Sequence, residues 1–132
     1  MSKLTLFDCV NAYTALMALH TQEWDYKSAY AIVTLKRKLQ PHAEFFAEEE
    51  MKLVNEHAAK DENGKIVWTA TGKFQFENGE HVREYEAARK ALGAVEVDEE
   101  FTPLRLPLPQ RITPQHLEAL ENLIIFEEGE NG

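Results

Sequence analysis

The residues in this chain best suited to chemistry are Glu50 and His57, seven positions apart. On an α-helix they fall almost in line, near the centre of a face shared with Phe46, Ala47, Leu53 and Val54. A carboxylate on an apolar face must find a cation or hold a proton, because burying it unpaired is costly. Three outcomes are open. Glu50 pairs with an arginine such as Arg83 or Arg89 on a shallow face. Alternatively, Glu50 and His57 line a partner- or ligand-binding groove. In the third, they form an acid/base pair or metal ligands, which would require a further convergent group.

The second group is Lys36-Arg37-Lys38, just before Pro41. Exposed cations beside a distorted backbone suit a phosphate or carboxylate; the plainer reading is a solvated face steadied by acids of a neighbouring helix. Beyond these the chain is sparse in chemistry. The five histidines (His20, His42, His57, His81, His116) show no HxxxH spacing, and there is no cysteine pair, so neither metal nor cofactor is expected. The six glycines lie at turns or the C-terminus, which leaves no phosphate-binding loop, and no nucleophile elbow occurs. Cys9 reads as a core residue on an apolar stripe. The expectation is a protein without catalytic residues.

The element that positions Glu50 and His57 is a long amphipathic pattern from Asp25 to Lys60. Ile32, Leu35, Leu39, Ala43, Phe46 and Leu53 recur at helical spacing and keep their phase across Pro41. This predicts one kinked helix, or two nearly in line, because Pro41 removes a backbone donor and presses on the carbonyl of Arg37. Asp25 is a suitable N-cap, and Lys60-Asp61-Glu62-Asn63-Gly64 is a stop. Before it, Thr5 and Asp8 resemble a capping box for a helix over Leu6 to His20, with Leu6, Cys9, Tyr13, Leu16 and His20 inward.

After it, Lys65–Thr69 and Lys73–Glu77 predict a hairpin. A three-residue loop with left-handed Gly72 pairs Trp68 with Phe74 and Ile66 with Phe76, gathering four large apolar side chains on one face. A helix over Glu80 to Leu92 follows, with Gly93 beyond its end, then a short strand over Ala94–Val97. Phe101 to Pro109 alternates Leu104, Leu106 and Leu108 with Arg105 and Pro107; three prolines make it an extended arm or an edge strand. Leu104, Arg105 and Leu106 are candidate binding residues there, the leucines lying along a groove of the helical body. Thr113 and Pro114 open a last helix with Leu117, Leu120 and Ile124 inward. The sum is an α+β, mostly helical domain over residues 1–126, with an acidic tail over 127–132.

Asp and Glu number 23 against 14 Lys and Arg, a formal net charge of −9. General affinity for DNA or anionic lipid is not expected on that balance. The charge is uneven: residues 26–40 hold four bases and no acid, and residues 112–132 five acids and no Lys or Arg. An acidic face of this kind suits a basic partner such as a nucleic-acid-binding enzyme, or serves solubility alone. The first 20 residues do not read as a signal peptide, and no segment approaches the ~20 apolar residues of a membrane span. A lone cysteine fits a reducing cytosol.

From about Lys36 to Phe126 the layout resembles a family of small phage and prophage proteins of unknown function. The resemblance rests on the order of four features. A charged helix ends in Lys60-Asp61-Glu62-Asn63-Gly64-Lys65. Asn78-Gly79 opens an acidic helix holding Tyr85, Val95-Glu96-Val97-Asp98 follows, and Thr113-Pro114 starts a helix with Leu117 and Leu120. It implies a viral accessory protein in the bacterial host cytoplasm and supplies no catalytic residues. The expected function is binding of a host or phage protein, with inhibition of a bacterial defence enzyme as one version. The alternatives are an assembly component that forms homo-oligomers through its helices, and a small-ligand binder using Glu50 and His57.

Overall fold

The computed structural model describes residues 2–128, and the elements follow in chain order. A short strand β1 (Ser2–Thr5) leads directly into helix α1 (Leu6–Leu19), and helix α2 (Tyr26–His57) is 32 residues long. Helix α3 (Gly79–Gly93), strands β2 (Glu96–Phe101) and β3 (Leu104–Pro107), helix α4 (Pro114–Leu120) and strand β4 (Ile124–Glu127) complete the chain. The fold is α+β and mostly helical. No helix of the described residues is long and apolar enough to cross a membrane.

The helix starts follow local hydrogen-bond chemistry. Thr5 and Asp8 form a reciprocal capping box, and Asp25 accepts from the backbone N–H of Ser28. Asn78 caps α3 and Thr113 caps α4, with Pro114 at the first helical position. Helix α2 runs unbroken through Pro41. Both Pro41 and Arg37 are exposed residues, at the place where the proline withholds one backbone donor from the helix.

The core gathers around α1. Leu6, Cys9, Ala12, Ala15, Leu16 and Leu19 are buried against Ile32, Leu35, Leu39 and Phe46 of α2 and Leu120 of α4. The expected stripe through Tyr13 and His20 is therefore displaced: His20 is exposed and Tyr13 half-buried. α1 packs against both α2 and α4, and its small residues Ala12 and Ala15 are fully buried. On α4, Leu117 is exposed, contrary to its expected inward position, while Leu123 just beyond the helix is buried.

Two small sheets close the core. β1 pairs antiparallel with β2, with a register shift between the Lys3–Glu100 and Thr5–Glu96 pairs. β3 pairs in parallel with β4, Leu104 to Pro107 lying beside Ile124 to Glu127. The Leu/Pro arm is thus an ordered strand with Leu106 buried in the core. Glu127, expected in the tail, belongs to β4; residues 129–132 of that tail lie outside the described residues.

Residues 58–78 depart from the expected two-stranded hairpin. Trp68 does pair with Phe74, and Gly72 is left-handed at φ 82°. Ile66, however, pairs with Lys60, and Phe76 with Ala58. Three short segments form a triangle of backbone bonds: Ala59 donates to Gln75, Gln75 to Val67, and Val67 to Ala59. The segment leaving α2 takes up donors and acceptors that a plain hairpin would leave on its edge. A second turn is held by Asp61, whose carboxylate accepts from the N–H groups of Asn63 and Lys65.

Candidate functional site

The second half of α2, residues 58–78 and α3 form a lobe beside the core, and between Ala59 and Leu92 no residue of it is fully buried. At the base of the lobe His57, the last residue of α2, meets His81 of α3, their Nδ1 atoms 2.8 Å apart. Local backbone chemistry positions both. Ala58 leaves the helix in extended geometry, the His57 carbonyl accepts from Glu77, and the Asn78 cap accepts from the His81 N–H. His57 is only 6% exposed.

Three carboxylates surround the pair. Glu84, one turn after His81, lies 3.8 Å from His57 Nδ1. Glu56 is 3.9 Å from His57 Nε2, and Glu77 is 4.0 Å from His81 Nε2. One ligand atom each from His57, His81 and Glu84 can be chosen within 4.8 Å of one another. These are the residues of the lobe that could hold a cation.

Above the histidines is an aromatic stack. Phe74 lies 4.8 Å from Phe76 and 5.4 Å from Tyr85, and Trp68 packs edge-on against Phe74 at 6.3 Å. The His57 ring meets Tyr85 edge-on at 6.3 Å. These aromatics line an open groove with Gly72, Lys73 and Glu86, and Trp68 is 51% exposed. Burial, and then the nearby Glu50 carboxylate, pushes the Tyr85 hydroxyl above its usual range.

Glu50 and His57 each have their own partners. Glu50 accepts from Arg89 Nε, one of the two arginines named from sequence. The Arg89 guanidinium also lies 5.1 Å from the Phe7 centroid and 5.5 Å from that of Phe46. The seven-residue spacing aligned the pair on α2, but α3 presents a different partner to each.

Nor does the basic trio converge. Lys38 lies 3.8 Å from Glu99 and 4.8 Å above the Phe101 ring, while His42 meets the same Glu99 at 2.7 Å. Arg37 is exposed and makes no ion pair among the described residues, and Lys36 lies near enough to His20 to help push its imidazole down, after burial. Successive helical residues diverge by about 100°, so the three point to different surroundings. On the arm, Arg105 pairs with Glu127 at 3.0 Å, Leu104 is half-buried and Leu106 serves the core.

His81 escaped the sequence reading because 24 positions separate it from His57, far from any helical metal spacing. The available signal was its place at the third position after the Asn78 cap, with Glu84 three residues on. No family model, curated protein or solved structure matches this chain.

Proposed function

We propose that the protein works without catalysis of its own, by binding a basic macromolecular partner at the aromatic groove of the lobe. The observation that carries this reading is Trp68, half exposed and edge-on to Phe74, which itself packs with Phe76 and Tyr85 along the same groove. A large rigid aromatic held open to solvent on other aromatics is the kind of residue that anchors protein interfaces. Aromatic faces also attract the side chains of Lys and Arg.

Charge selects the partner class. From Glu56 to Glu86 seven carboxylates stand against four Lys and Arg, within a chain of net charge −9. That field repels nucleic acid and speeds encounter with a cationic protein surface. A nucleic-acid-binding enzyme has such a surface. In the phage setting that the order of sequence features implies, a bacterial defence enzyme is the partner to test, in the host cytoplasm.

The test is affinity capture from bacterial lysate with immobilised wild-type protein and Trp68→Ala in parallel. A nucleic-acid-binding protein retained by the wild type, lost in the variant and released by high salt supports the reading. Equal retention by both, or no retention at micromolar protein, contradicts it.

Self-association is the second reading, favoured by a different surface. Tyr26 and Tyr30 stack at 6.3 Å on the first turns of α2, and Tyr26 is 84% exposed. Light scattering during size exclusion separates the two: a ring or larger oligomer broken by Tyr26→Ser favours assembly, and a monomer favours the groove.

A further inference from the structure

We infer that His57, His81 and Glu84 form a binding site for a divalent transition-metal cation, with zinc as the best fit. The Nδ1 atoms of two imidazoles point at each other across 2.8 Å, and the Glu84 carboxylate is 3.8 Å from the first. Around a tetrahedral zinc, with bonds of about 2.0–2.1 Å, donor atoms stand about 3.3 Å apart. The two separations from His57 bracket that spacing and all three ligand atoms lie within 4.8 Å of one another, so side-chain rotations can bring them onto a common ion.

The surroundings place carboxylates near the outer side of both imidazoles. Each histidine turns its Nδ1 inward and its Nε2 toward a glutamate, Glu56 for His57 and Glu77 for His81. At 3.9 and 4.0 Å these carboxylates are not hydrogen-bonded to the rings, but each is one small rotation from the position in which an outer carboxylate orients a metal-binding imidazole. Two nitrogens and one carboxylate oxygen favour zinc, cobalt or nickel over magnesium and calcium, which prefer all-oxygen shells. Three protein ligands leave one tetrahedral position for water.

The position in the fold supplies a physical reason for an ion. His57 ends α2 and His81 opens α3, so a shared metal closes the whole excursion between them at its base. That excursion and α3 contain no fully buried residue from Ala59 to Leu92. Segments that cannot bury a core are commonly held by metals or cross-links. The inference does not use Trp68, although the groove adjoins the site through Tyr85, whose ring His57 meets edge-on at 6.3 Å.

The experiment titrates zinc chloride into chelator-treated protein by calorimetry and follows thermal unfolding with and without the metal. The expected result is one zinc per chain with a dissociation constant of about 1 μM or tighter, and a melting temperature raised by roughly 5 °C at saturation. Magnesium should give neither. His81→Ala should weaken zinc at least ~100-fold and Glu84→Gln about 10-fold, whereas His20→Ala and His116→Ala should bind as the wild type does. Circular dichroism checks that each variant is folded; if His81→Ala is not, Glu84→Gln decides. Wild-type protein that takes up no zinc at 100 μM, or affinity unchanged in the deciding variant, overturns the inference and leaves a plain imidazole–imidazole hydrogen bond.

Discussion

Arg89 donates through Nε to the Glu50 carboxylate, and this contact ties α3 to α2. The same guanidinium rests on Phe7 and Phe46, so it joins the lobe to the apolar edge of the core as well. Glu50 and Arg89 are both partly exposed, so their ion pair is weak by itself, and the two ring contacts add to it. Arg89→Ala is expected to lower stability by about 1–2 kcal/mol. Arg89→Lys should lose roughly half as much, since an ammonium keeps the charge without the planar stack. Urea unfolding of the two variants checks both values.

Gly93 is required for close approach. Its backbone is not left-handed, yet a Cβ built there would overlap the Phe7 ring. Phe7 cannot swing away freely, being held between Phe46 at 5.2 Å and Arg89. Gly93→Ala is therefore expected to destabilise by about 1–3 kcal/mol, although alanine is the better helix former by about 1 kcal/mol. In a Phe7→Ala background the same substitution should be neutral or stabilising. Equal effects in the two backgrounds would exclude the overlap as the cause.

Asp25 gives the fold an acid-sensitive contact at the start of α2. The Ser28 backbone N–H, and then the Ser28 hydroxyl, hold its carboxyl below the ordinary value of 3.8. Because the folded form binds the proton less readily than the unfolded chain, this contribution is complete above that ordinary value. It is lost as pH falls through the lower folded one. Stability measured against pH should therefore fall less steeply below pH 3.8 for Asp25→Asn than for the wild type.

Cys9 should report global unfolding. It is wholly buried on α1, and burial, followed by the charges of Asp8 and Glu99, pushes its thiol from 9.0 up to about 12. The native protein should resist iodoacetamide at pH 8 and react once unfolded in urea, because only the thiolate is the nucleophile. The raised thiol also sets a sign at high pH. Its contribution to stability is intact below 9.0 and declines as pH climbs toward 12.

The parts of this fold legible in the sequence are those decided within a few residues. Thr5 with Asp8, Asp25, and Thr113 with Pro114 announce their helix starts because a cap is a bond between near neighbours. The phase of Ile32, Leu35, Leu39 and Phe46 across Pro41 is likewise local, as is the Trp68–Phe74 register imposed by left-handed Gly72. What could not be read depends on distant partners. β2 brings Glu96–Phe101 to the N-terminal strand, and the insertion of residues 58–60 redirects Ile66 and Phe76. The burial of Ala12 and Ala15 follows from helices on two sides of α1. His81 reaches His57 only because the chain returns along α3. Glu50 was visible as an anomaly, and an arginine was named for it, but its separation from His57 required the position of α3.

The proposed anchoring of a cationic partner by Trp68 can be read in the fluorescence of Trp68 itself. The chain has a second tryptophan, Trp24, whose indole N–H is bound to the Leu19 carbonyl, so Trp68→Phe reports the background. Titration with an arginine-rich peptide at low salt should change the wild-type emission saturably, with a dissociation constant of about 10–100 μM. Added salt should weaken the response, and Trp68→Phe should show almost none of it. A linear response that never saturates, or one of equal size in Trp68→Phe, would show that Trp68 is not the anchor.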